Sequence, residues 1–164
     1  MPYTFEQTSE VTRKNATTQD RQLDNSIRDI SSLWNVLESV INGLIYDLYV
    51  AASDEVTPLE IANDVLTFEV QRGFELSSLR IGLNIAGTTS GITEIDVKKN
   101  GVSILSTTAT IDLGELTTRT AATPLVISTT SFSDGDIISV DVLDISSGAT
   151  EAGLKVYMLG NLTL

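Results

Sequence analysis

The sequence predicts an α+β protein built in parts: an N-terminal arm, a long coiled-coil helix assembled as a parallel trimer, and an antiparallel β-sandwich of jelly-roll type. Three observations lead there. From Leu23 to Leu48 the apolar residues recur in steps of four and three. From Val65 onward the apolar period changes to two. Between them, Pro58 disfavours helical dihedrals at Thr57 and marks a boundary.

Residues 1–16 read as an extended anchoring arm. They are polar and keep no period; Tyr3, Phe5 and Val11 are isolated apolar points that could seat on a partner surface. A plain disordered tail is the competing reading. Thr17 or Thr18 suits a helix N-cap, with Asp20 favourably placed in the first turn. The helix is expected over residues 17–52, about 50 Å at 1.5 Å per residue.

Its seam consists of Leu23, Ile27, Ile30, Trp34, Leu37, Ile41, Leu44 and Leu48. With Ile27 at position a, the a positions hold Ile27, Trp34, Ile41 and Leu48, and the d positions hold Leu23, Ile30, Leu37 and Leu44. Isoleucine at both a and d shifts preference from dimers to larger bundles. Leu33 and Val40 at g, with Ile45 at e, widen the apolar stripe. A homotrimer is therefore expected. The alternative is an amphipathic helix packed on its own β domain, which tends towards a 3.6-residue period.

Residues 53–64 form the expected hinge, and residues 65–164 the β domain. Leu66, Phe68 and Val70 alternate with polar residues, as do Leu79, Ile81, Leu83 and Ile85. Ile95 and Val97, then Ile138, Val140 and Val142, then Leu154, Val156 and Met158 follow the same rule. Each strand should have one buried and one wet face. Asn100-Gly101 between two such runs is a hairpin signal. Further turns are read at residues 87–91, 133–136 and 146–149, and the Thr-rich stretch Leu113–Thr123 as a loop or short edge strands. About eight strands fit a jelly roll.

Composition narrows the function. The chain has no Cys and no His, which removes disulfides, redox thiols, the commonest general base and the usual triads. A net charge of -12 opposes nucleic acid and anionic membranes as partners. The start Met1-Pro2-Tyr3-Thr4 lacks the pattern of a signal peptide, and Asp47 interrupts the most apolar helical stretch. A chain made in a host cytoplasm, with no membrane insertion, is expected.

The carboxylates Asp134, Asp136, Asp141, Asp144 and Glu151 are the only catalytic candidates. Most fall at turns or on wet faces, and Asp96 reads as outward-facing too, so a solvated acidic surface is the expectation. Asp134 and Asp136 have oxygen ligands close enough for Ca²⁺ but lack a full EF-hand loop. No catalytic residue, metal or cofactor is expected. Of the β-domain aromatics, Phe68 and Phe132 read as core, while Tyr157 on a wet face and Phe74 after a turn leave thin grounds for a glycan surface.

Gly87-Thr88-Thr89-Ser90-Gly91 is followed by Ile95-Asp96-Val97-Lys98-Lys99-Asn100-Gly101-Val102-Ser103-Ile104, then by Asp134 to Val142 and by Gly153-Leu154-Lys155-Val156. This order resembles a C-terminal β-sandwich module of tailed-bacteriophage virion proteins, over roughly residues 65 to 160. The resemblance implies a non-enzymatic structural or attachment role in a virion, often as a trimer, and carries no catalytic residues. The expected protein is fibre-like. Its arm docks on another virion protein, and its β domain projects for attachment, with a host surface glycan as one candidate partner. A capsid decoration protein is the second reading, and a glycan-binding or glycan-cleaving protein the third.

Overall fold

The computed structural model describes residues 5–42 and 44–163, with side chains from residue 17 onward except at 38, 39, 41 and 42. The chain divides into two compact units, Met1–Ile41 and Asn42–Leu164. The first is one helix, α1 (Phe5–Asn42). Its serines at 26 and 31 return their hydroxyls to the carbonyls of Gln22 and Ile27, both at 2.9 Å, so they satisfy themselves within the helix.

The second unit holds β1 (Ile45–Ala51), β2 (Ala62–Glu69), β3 (Phe74–Gly82), β4 (Thr93–Lys99), β5 (Val102–Ser103), β6 (Leu105–Thr107), β7 (Ala109–Ile111), β8 (Val126–Ile127), β9 (Ser131–Phe132), β10 (Ile137–Asp144) and β11 (Lys155–Leu162). All described pairings between these strands are antiparallel. One sheet has the order β1-β11-β3-β9; another has β2-β10-β4-β5, with β7 also paired to β4; β6 and β8 form a ribbon. One hydrophobic core draws on both larger sheets, through Leu79, Ile81, Val156 and Met158 from the first and Ile95, Val97, Ile138 and Val140 from the second.

Period-two alternation works as physical chemistry predicts on β11, where Val156, Met158 and Gly160 are buried and Tyr157 and Leu159 are exposed. The Asn100-Gly101 turn closes β4 onto β5 with φ of 51° and 80°, the paired positive dihedrals of a tight hairpin. Phe74 departs from its expected surface position. It is fully buried and stacks between Tyr46, at 3.8 Å, and Phe132, at 4.7 Å.

The observed architecture overturns the coiled-coil fold expected over residues 17–52. Among the described residues the chain is mostly antiparallel β with one helix, and that helix is Phe5–Asn42. Of the eight seam residues, Leu23, Ile27, Ile30, Trp34, Leu37 and Ile41 lie on α1, but Leu44 lies beyond it and Leu48 sits on β1. The cause is local. Asn42-Gly43 is helix-ending chemistry in the sequence. The next residues, Ile45-Tyr46-Asp47-Leu48-Tyr49-Val50, are aromatic or aliphatic at nearly every position and pair with β11 from Asn161 back to Val156. Leu44 and Leu48 fit the heptad by coincidence, while Tyr46, Leu48 and Val50 fit period two and turn inward.

Two further parts of the expected fold fail. The extended arm over residues 1–16 is replaced by helix from Phe5 onward. The eight-strand jelly roll gives way to a sheet of four strands, a sheet of five that includes β7 off its main path, and a separate two-stranded ribbon.

Candidate functional site

Two surfaces stand out from the residues upward. The first is on α1. Leu23, Ile30 and Leu33 are each more than 60% exposed, and Ile27, Trp34, Val36, Leu37 and Val40 are close behind. Large apolar side chains lie three and four residues apart along one helix and meet water. Leu44 is also exposed, whereas Leu48 packs against the β core. The side chain of Ile41 and the predicted anchors Phe5 and Val11 lie outside the described side chains, and Tyr3 lies outside the described residues.

The second surface is the outer face of the sheet β1-β11-β3. The register places Tyr49 opposite Tyr157, and Tyr157 opposite Arg80, so one row crosses three strands. All three side chains are exposed. The two tyrosine rings touch at a centroid distance of 4.9 Å. In the neighbouring row, Ala51 faces Lys155, which faces Gly82. A methyl group on Gly82 would already contact the Tyr157 ring at 3.4 Å, so the missing side chain leaves a hollow there.

The Thr-rich stretch supplies the far wall of this hollow. It is irregular, and it runs along the part of β3 that no strand covers: the Leu83 N–H donates to Leu116 at 2.9 Å, and the Thr118 N–H to Ile81 at 3.0 Å. The Thr118 hydroxyl in turn accepts from the Ile81 N–H at 3.1 Å. That docking brings Arg119 to the same cleft as Arg80. The cleft, of about 400 Å³, is lined by Arg80, Gly82, Thr117, Arg119, Lys155 and Tyr157 among others. An adjoining cleft of about 420 Å³ shares both arginines.

The charges here are unequal in their pairing. Lys155 meets Glu55 at 2.8 Å, and this hydrogen bond raises its pKa. Lys99 meets Asp136 at 2.8 Å, and Lys98 meets Asp141. Arg80 and Arg119 form no salt bridge among the described residues.

The predicted acidic cluster does not gather. Asp134 and Asp144 are exposed, while Asp141 and Glu151 are fully buried, as is nearly all of Asp96. Asp141 accepts from Lys98 and from the Asp64 N–H at 2.8 Å, and Asp96 accepts from the Ser103 hydroxyl at 2.6 Å. Glu151 Oε1 accepts from the Ser146 N–H at 2.7 Å and the Thr93 hydroxyl at 3.2 Å. Burial alone would raise the pKa of Asp141 and Glu151, but these hydrogen bonds outweigh it and both are lowered. They act as internal ties between strands and loops, not as acids facing a cleft. Among the described residues no three Asp or Glu side chains converge as a metal site, and no helix is long and apolar enough to cross a membrane.

Sequence reasoning missed Tyr49, Arg80 and Arg119. Tyr49 falls in the expected helix, and Arg119 in the stretch expected as a loop or short edge strands. Only the wet-face placement of Arg80 and Tyr157 was visible, and the strand register that joins them was not. No protein-family model matches this chain, and no curated protein matches it by sequence.

Proposed function

We propose that the chain is a non-enzymatic structural protein that assembles with copies of itself through its helical unit and displays its β unit as an attachment surface. The observation that carries this reading is the exposed apolar face of α1 between Leu23 and Val40. Helices gain most of their stability from packing such a face, and a lone amphipathic helix in water is marginal. Copies of the same face can cover it, since each brings the same exposed apolar side chains. Leu33, Val36 and Val40 broaden the face beyond what a pair of helices covers, which favours a homotrimer. The lack of His and Cys in the sequence also favours structure over chemistry. The setting follows from the resemblance given above: a fibre-like component of a tailed-phage virion, with N-terminal residues against another virion protein.

Light scattering on the full chain at micromolar concentration tests the assembly. The expected mass is three times the 17.6 kDa of one chain. Replacing Ile30 and Leu37 together by Asn should release single chains with the β signature of the circular dichroism intact, since buried unpaired amides are costly. A single-chain mass for the unaltered protein would overturn the reading.

A further inference from the structure

We infer that the cleft holding Arg80 and Arg119 beside Tyr157 binds a carboxylate-bearing saccharide. This gives a ligand class to the attachment surface and rests on that reading for its biological setting, but the binding is measured separately from assembly.

The charge pattern comes first. The chain carries a net charge of -12, and each lysine of the β unit has found a carboxylate. Among the described residues Arg80 and Arg119 have not, nor has Arg72 outside these clefts, although acidic residues outnumber basic ones more than two to one. Both are exposed and both line the same two clefts. Two guanidinium groups that line the same clefts without an ion pair among the described residues can seat an anion. Their planar forks match a carboxylate bidentately, which a lysine cannot do.

The surroundings then select a sugar. Tyr157 offers an exposed ring, supported by Tyr49, on which the C–H face of a pyranose can lie while the phenol stays wet. Thr117 and Ser77 add hydroxyls to the lining. Both clefts, of about 420 and 400 Å³, are open to solvent. Because they adjoin and share both arginines, they suit consecutive residues of a chain better than one compact molecule. Nucleic acid is the wrong polyanion, since two arginines neutralise too few phosphates on a protein of this charge.

Isothermal titration of the full-length protein tests the inference, with trigalacturonate and α2,8-linked trisialic acid as probes. Their separate arms tell a uronic acid polymer from a sialic acid polymer. At least one should bind, and maltotriose and methyl-esterified trigalacturonate should not. Arg80→Ala and Arg119→Ala should each weaken binding about tenfold at unchanged melting temperature, because charge-assisted hydrogen bonds are lost. Gly82→Val should block binding with both arginines present. No binding of either acidic trisaccharide, or binding that survives both arginine substitutions, overturns the site. Equal binding of tetraglutamate overturns its assignment to a sugar. The Ile30/Leu37 double variant should keep its affinity per chain, so a failed assembly and a failed site give different results.

Discussion

A carboxylate's position along a strand does not say whether water reaches it. Asp96 and Asp141 alternate with buried valines, yet they too are buried, because β4 and β10 are central strands covered on both faces. The alternation was legible in the sequence. The second cover was not, since it comes from distant chain such as Asp64, whose N–H reaches Asp141. Asp136 behaves differently, and its role is testable. Its carboxylate takes Lys99 at 2.8 Å, the Ser133 N–H at 2.7 Å and the Asn100 side chain at 2.7 Å. Asn100 in turn accepts from the Ile137 N–H at 2.8 Å, so two turns are pinned to each other. Lys99 above all, then these donors, lowers the pKa of Asp136 from 3.8 to about 2. A folded pKa below the unfolded one means stability that is full above pH 4 and is lost as pH falls towards 2. Asp136→Asn should therefore lower the melting temperature at neutral pH and lose less on acidification from pH 4 to 2. Parallel melting-temperature curves for the two proteins across that range would contradict this.

At the scale of elements, the boundary near Asn42 shows why a periodicity can mislead. Two periods overlap over Ile41 to Leu48, and the choice between them depends on whether β11 is present to pair. A helix needs only its neighbours in sequence; a strand needs a partner more than a hundred residues away, which a local pattern does not reveal. The hairpin at Asn100-Gly101 was legible for the converse reason, because its cause lies wholly within the turn. Gly160 on β11 combines both lessons. It sits opposite Tyr46, next to the bulge where β11 shifts register against β3. A methyl group there would run into the backbone of Glu75 and Leu76. Backbone cannot swing aside as a side chain can, so Gly160→Ala should destabilise the β unit by about 1–3 kcal/mol, the usual scale for overpacking. Urea denaturation followed by tyrosine fluorescence measures it. An unchanged midpoint would mean that the bulge is slack. Gly101, with nothing near its missing side chain, is the comparison: alanine there meets only the cost of its positive φ.

For the whole molecule, the two units stand differently towards water. The β unit buries a core of large apolar residues, with Phe74, Phe132, Ile81, Ile95 and Met158 at most 2% exposed, although Ile45, Val56, Ile61 and Val102 among others stay exposed. Much of that core was legible, because strands with one dry face announce which residues go inside. The helical unit leaves its apolar face in water. If copies of the face cover one another, the helix is stabilised by mass action and the β unit is not. Trp34 makes the difference measurable, being the only tryptophan and lying on that face at 58% exposure. In concentrated protein its emission should be that of a buried indole, and it should move to longer wavelength on about a thousandfold dilution. The helical part of the far-ultraviolet melt should fall to lower temperature over the same dilution, while the near-ultraviolet signal of Tyr46, Tyr49 and Tyr157 in the β unit should melt at a fixed temperature. Emission typical of a wet indole at every concentration would show that the face stays uncovered, and the assembly role would fall while the saccharide cleft on the β unit could still be tested.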